Sequence, residues 1–165
     1  MTLASADQLL VYLADLVEGL ERYGVTLLPP DDSDEITLGQ EHDGSLIIDL
    51  EGRLPMPRRS GDVDLELFER WQPTGRDLWV CVEYAYELRH HELRYRRAFH
   101  RHDEAYFVRM YGVATHEHCE ATMGLPSCGH YYGQPVADAP GAFRRLYDLW
   151  LTEQKPDCLA LTCLG

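Results

Sequence analysis

Between Arg94 and His130 the chain concentrates side chains able to move protons and hold phosphate. Read as one continuous strand, residues 93–102 place Arg94, Arg96, His100 and His102 on one face. Leu93, Tyr95, Arg97, Phe99 and Arg101 fall on the other, because side chains alternate along a strand. The same alternation groups His116, His118 and Glu120. Imidazole gives and takes protons near neutral pH, and guanidinium neutralises charge developing on a phosphoryl group. A metal-free ribonuclease needs that set, with one imidazole to remove the 2′-hydroxyl proton and a second group to protonate the leaving oxygen. On this reading His116 and His118 carry the protons, Arg94 and Arg96 bind phosphate beside His100, and Glu120 orients an imidazole. The structural alternative is an exposed antiparallel face whose arginines pair with the abundant carboxylates. His90 and His91 fall at an expected turn and read as surface residues.

The same region allows a metal reading. His116, His118, Cys119, Cys128 and His130 lie within fifteen residues, and all are suitable zinc ligands. His-x-His on a strand can hold one ion through both rings, with Cys128 and His130 folding over it from a glycine-containing loop. The expected metal set is therefore His116, His118, Cys128 and His130. The segment lacks the tight Cys–Cys spacing of structural zinc modules, so the first reading carries no cofactor and zinc is the alternative. A phosphate loop, a dinucleotide fingerprint, a nucleophile elbow and an HExxH motif are all absent from the sequence.

These residues need a sheet to position them. Upstream, Ser5 followed by Gln8 is a capping-box pattern, and Leu9, Leu10, Leu13, Leu16, Val17 and Leu20 recur at helical spacing. The pattern predicts a helix over 6–23, closed by Gly24. Period two then takes over across 36–120. Residues 36–40 and 46–50 read as a hairpin around Asp43-Gly44, a two-residue turn. Val63, Leu65 and Leu67 mark a half-buried strand, with Asp64, Glu66 and Glu69 as its polar neighbours. Leu78, Val80, Val82, Tyr84, Tyr86 and Leu88 share one parity and mark the central strand. Further strands are expected over 93–102, 106–113 and 116–120.

Residues 121–140 read as loop and 141–152 as a second helix, with Phe143, Leu146, Tyr147 and Trp150 on one stripe. Short connections leave no room for crossover helices, which favours antiparallel pairing. The expected fold is a single α+β domain over 1–165. In it a twisted antiparallel sheet of five or six strands packs against N-terminal and C-terminal helices.

Charge and composition narrow the function classes. Of 165 residues, 28 are acidic and 15 basic, a net charge of −13. Residues 1–75 carry 16 acids and 5 bases, whereas residues 89–109 reverse the sign with six arginines and four histidines against three acids. The global charge disfavours avid polynucleotide binding at long range, while the local reversal still suits phosphate. No stretch is apolar enough to span a membrane, and the opening residues lack a signal-peptide pattern. Five cysteines without a tight framework point to a reducing cytoplasm, with a Cys158–Cys163 bridge geometrically possible.

The order of Asp43-Gly44, Tyr84-x-Tyr86, Arg94-Tyr95 and His116-x-His118 resembles the TumE-like family of small toxin proteins from toxin–antitoxin modules. The similarity covers about residues 43–118. Where the family continues Arg-Tyr with Asp-Asn, this chain has Arg96-Arg97. The resemblance implies a compact sheet protein that acts on RNA and is neutralised by a protein antitoxin. Its active face would lie at Arg94, His116 and His118. A non-catalytic accessory protein, whose acidic first half meets a basic partner, is the competing expectation.

Overall fold

The computed structural model describes residues 4–28, 37–55, 62–101, 105, 108–109, 114–120, 129–131, 138–152 and 162–163. In chain order these form α1 (Ala6–Arg22), β1 (Thr26–Leu28), β2 (Thr37–Gln40), β3 (Leu46–Pro55), β4 (Asp62–Gly75) and β5 (Leu78–His90). They continue as β6 (Tyr95–Arg101), β7 (Thr115–Glu120), β8 (Gly129–Tyr131), α2 (Ala139–Thr152) and β9 (Thr162–Cys163). From β3 to β9 the order in the sheet follows the order in the chain, and every pairing is antiparallel. The short strands β1 and β2 both pair with the far edge of β3. This is the expected α+β architecture, a twisted antiparallel sheet flanked by helices from the two ends of the chain.

Helix α1 begins and ends as its sequence dictates. The Ser5 hydroxyl accepts from the Gln8 N–H, and the Gln8 side chain accepts from the Ser5 N–H, which satisfies two N-terminal donors. At the other end Gly24 takes φ +77°, its N–H donates to the Glu21 carbonyl, and the Val25 N–H donates to the Leu20 carbonyl. That is a Schellman stop, and only glycine adopts it without strain. Leu9, Leu16 and Leu20 are buried, but Leu10 is 59 % exposed and lies off the stripe. Glu18 and Arg22 pair one turn apart on the solvent side.

The hairpins carry two corrections to the sequence reading. The Asp43-Gly44 turn is longer than two residues: Gln40 pairs with Leu46, and the Glu41 N–H donates to the Ser45 carbonyl. Gly44 takes positive φ, while Asp43 instead accepts the Ser45 N–H through its carboxylate. In β5 the single parity breaks. Arg70 pairs with Glu83 but Trp71 with Cys81, so Val82 is the extra residue of a bulge. The consequence is that Cys81, not Val80 or Val82, turns into the core.

Both helices pack on one face of the sheet. That face carries Ile48, Leu50 and Leu54 of β3, Val63, Leu65, Leu67 and Trp71 of β4, Tyr84, Tyr86 and Leu88 of β5, and Tyr95 and Phe99 of β6. Leu16 and Leu20 of α1 and Phe143, Leu146 and Trp150 of α2 close it. Each such side chain removed from water contributes about 1.5–3 kcal/mol, so the pairing of helices with sheet rests on this layer. Trp150 is the largest of the fully buried side chains among the described residues, stacked on His90 at 5.3 Å and edge-on to Tyr95 at 4.8 Å. His90 is therefore a buried residue ending β5, whereas His91 is exposed in the turn and pairs with Asp64.

Three further expectations change. Strand β6 starts at Tyr95 because residues 91–94 form the turn between β5 and β6. The strand expected over 106–113 is not what the described residues there show: Ala105, Val108 and Arg109 are helical. Within the expected loop, residues 129–131 form β8 and α2 already begins at Ala139. Cys158 lies outside the described residues, and with it the Cys158–Cys163 bridge. No helix among the described residues is long and apolar enough to cross a membrane.

Candidate functional site

The face of the sheet away from the helices holds Arg96 and His100, two of the residues singled out for chemistry. In β6 the odd positions Tyr95, Arg97 and Phe99 are buried in the core layer, which leaves Arg96, Ala98 and His100 on the opposite face. Glu87 of β5 is the register partner of Ala98 and sits between the two polar side chains. Arg96 donates to it twice, Nη2 to Oε1 at 2.6 Å and Nε to Oε2 at 3.0 Å. His100 Nε2 lies 2.9 Å from Oε1. Arg89 reaches the same carboxylate at 3.9 Å and also pairs with Glu66.

This lattice resolves a like-charge problem built into the register. Glu66 stands opposite Glu87, and Arg89 opposite Arg96, pairs that repel when left alone. Arg89 bridges the two carboxylates and Glu87 bridges the two guanidiniums. Burial works against ionising Glu87, but the hydrogen bonds from His100 and Arg96, with their charge, prevail and hold its carboxyl at about 2. An ionised Glu87 favours a hydrogen on the His100 Nε2 that faces it.

The sequence-predicted residues divide as follows. Arg96 and His100 meet through Glu87, as described. Strand β7 lies directly beside them: the backbone register pairs Glu120 with Arg96, His118 with Ala98 and His116 with His100. The two segments are thus adjacent antiparallel strands, and facing Cα atoms of such a ladder are about 4.5–5.5 Å apart. Arg94 departs from the expectation. It is an exposed turn residue with φ +51°, its N–H donating to the His91 carbonyl, so it leaves the strand face shared by Arg96 and His100. His102 and Cys128 lie outside the described residues, as do the side chains of His116, His118, Cys119, Glu120 and His130. The backbone of His130 is the register partner of Glu117 in β8. Among the described residues no three His, Cys, Asp or Glu side chains are gathered as a metal site.

The core layer contains two ionic features that the sequence reading passed over. Glu69 is 1 % exposed and accepts from Tyr12 at 2.5 Å, Tyr86 at 2.6 Å and Trp71 Nε1 at 2.8 Å. Tyr12 in turn accepts the Ala139 N–H at 3.0 Å, so the cage links α1, β4, β5 and the start of α2. Burial raises the Glu69 carboxyl above its usual range, with the three donors opposing that shift and Asp138 adding to it. Burial, together with the Glu69 charge, pushes up the Tyr12 and Tyr86 hydroxyls and the Cys81 thiol, so Cys81 is an inert buried thiol. The signal was present: Glu69 has the odd parity of Val63, Leu65, Leu67 and Trp71, and it belongs with the core positions rather than with their polar neighbours.

The second feature is Arg97 with Glu117, side chains only 3 % and 2 % exposed, joined at 2.9 Å between β6 and β7. Arg145 of α2 stands 3.7 Å from the other Glu117 oxygen and 5.2 Å above the Phe99 ring. This pair anchors β7 and α2 to β6, the strand that carries Arg96 and His100. Compared with family models, curated proteins and solved structures, the chain matches none. The side-chain chemistry of the sheet face therefore carries the functional reading.

Proposed function

We propose that the β5–β6–β7 face cleaves RNA without a metal, by attack of a 2′-hydroxyl on the adjacent phosphodiester. The observation that carries this reading is the Glu87–His100 contact at 2.9 Å with Arg96 on the same carboxylate. His100, oriented by Glu87, takes the 2′-hydroxyl proton. The 2′-oxygen bonds to phosphorus, the bond from phosphorus to the 5′-oxygen breaks, and an imidazole at position 116 or 118 supplies the proton that the leaving oxygen needs. Arg96 offsets charge on the phosphoryl oxygens, with Glu120 at the neighbouring register position. The products are a 2′,3′-cyclic phosphate and a 5′-hydroxyl end. The TumE-like resemblance supports the same substrate class and a protein antitoxin as partner.

The test is incubation of purified protein with single-stranded RNA in chelator, followed by end-group analysis. Cleavage leaving cyclic phosphate is expected, and His100→Ala and His118→Ala each lower the rate by about 10²–10⁴-fold with the fold unchanged. Full activity in both variants removes the site. A second reading has one observation in its favour: Glu87 already neutralises Arg96 within a continuous charge lattice, as in a purely structural face that binds a basic partner. That reading predicts no cleavage in any variant, and co-purification of a basic protein lost on charge reversal at Glu66.

A further inference from the structure

On the helix side of the sheet, remote from the Glu87 lattice, the end of α1 and the start of α2 enclose a cleft of about 410 Å³. Its walls include Gly19, Leu20, Arg22 and Tyr23 of the first helix and its cap, and Phe143 and Arg144 of the second. We propose that this cleft binds a planar aromatic anion, its ring against Tyr23 and Phe143 and its charged group on Arg144 and Arg22. The proposal is independent of the RNA-cleaving reading.

Three observations support it. First, the aromatic wall is pre-set. Tyr23 is held edge-on by Phe143 at 5.1 Å and tilted against Tyr147 at 5.0 Å, yet remains 39 % exposed. A rigid, half-open aromatic cluster presents ring area at little entropic cost, as recognition surfaces do. Second, the cations are available. Arg144 is exposed and has no carboxylate in ion-pair contact among the described residues, in a chain with net charge −13. Arg22 meets Glu18 through one terminal nitrogen at 2.6 Å and stays 73 % exposed, so its other donors still face outward. Third, Gly19 lies inside α1, where glycine is an unfavourable helix residue. A Cβ there would touch nothing within 4 Å, so packing does not require the glycine. Its effect is to leave bare helix backbone as one wall of the cleft. The volume falls within the range of sites for small ligands.

The ring could belong to a nucleotide or to a simple aryl acid, and calorimetric titration of the whole chain separates them. Adenosine monophosphate and phenyl phosphate are titrated in parallel, with adenosine and inorganic phosphate as half-ligand controls. Saturable binding of at least one aromatic anion, tighter than adenosine and than inorganic phosphate, is expected. A preference for adenosine monophosphate identifies a nucleotide site, and a preference for phenyl phosphate an aryl-acid site. Gly19→Leu fills the cleft with a better helix former, and Arg144→Glu reverses its charge. Each is expected to weaken binding about tenfold or more, with circular dichroism unchanged and Tm not lowered. Absence of saturable binding up to about 5 mM overturns the proposal, a limit corresponding to a few kcal/mol of affinity. So does binding unchanged by both variants, or binding matched by either half-ligand.

Discussion

Glu69 and Glu87 are both withdrawn from water, on opposite faces of the same sheet, and their neighbours drive them in opposite directions. Glu87 has cationic donors, and its carboxyl is held at about 2 against an ordinary 4.5. Its contribution to stability is therefore complete above about pH 4.5 and is lost as pH falls from there through 2. Urea denaturation across that window should show an acid limb for the wild type that is flatter in Glu87→Gln. Glu69 has only neutral donors, and its carboxyl is raised. That carboxyl binds its proton more tightly in the folded chain, so it erodes stability as pH rises above 4.5. Tyr86→Phe removes one of the donors that favour the ionised form. The expected cost is about 1–3 kcal/mol at pH 7 and less near pH 4, read from urea midpoints at the two pH values.

At the scale of elements, α2 and β7 each carry deeply buried contacts to the sheet. Trp150 is wholly buried against His90 and Tyr95, so Trp150→Ala should cost about 3–5 kcal/mol in chemical denaturation. Between β6 and β7 the Arg97–Glu117 pair predicts an asymmetry. Glu117→Ala removes the carboxylate that faces a buried guanidinium and should cost about 3–5 kcal/mol, whereas the double change Arg97→Met with Glu117→Leu should recover most of that loss. Loss of β7 docking would also displace the backbone of His116 and His118 from the register beside Arg96 and His100. The proposed RNA cleavage and stability should therefore fall together in Glu117→Ala, unlike in His100→Ala.

For the whole molecule, net charge sets how any polyanion approaches. A chain at −13 repels RNA at long range, and the Debye length shortens from about 30 Å at 0.01 M salt to about 8 Å at 0.15 M. If the face cleaves RNA as proposed, the rate at low substrate should therefore rise over that interval, opposite to the fall shown by a basic nuclease. A steep fall instead would mean that local attraction by the arginine segment outweighs the total charge.

Local patterns sufficed where one segment answers to its own periodicity and end signals. Ser5, Gln8 and Gly24 delimit α1, the stripe Phe143, Leu146 and Trp150 marks α2, and the alternation from Val63 to Leu88 marks the central strands. The α+β class follows, because short connections between strands force antiparallel neighbours. Legibility failed wherever a second segment decides the outcome. The bulge at Val82 turns Cys81 inward, Arg94 is taken by the turn that joins β5 to β6, and Leu10 faces away because α1 meets the sheet along a narrower stripe than its sequence offers. Glu87 could be seen only as a polar neighbour on β5, since its role depends on the register that sets it opposite Ala98, between Arg96 and His100. Periodicity is a property of one strand, but a charge cluster is a property of the register between strands, and register is settled by packing and turn geometry across the whole sheet.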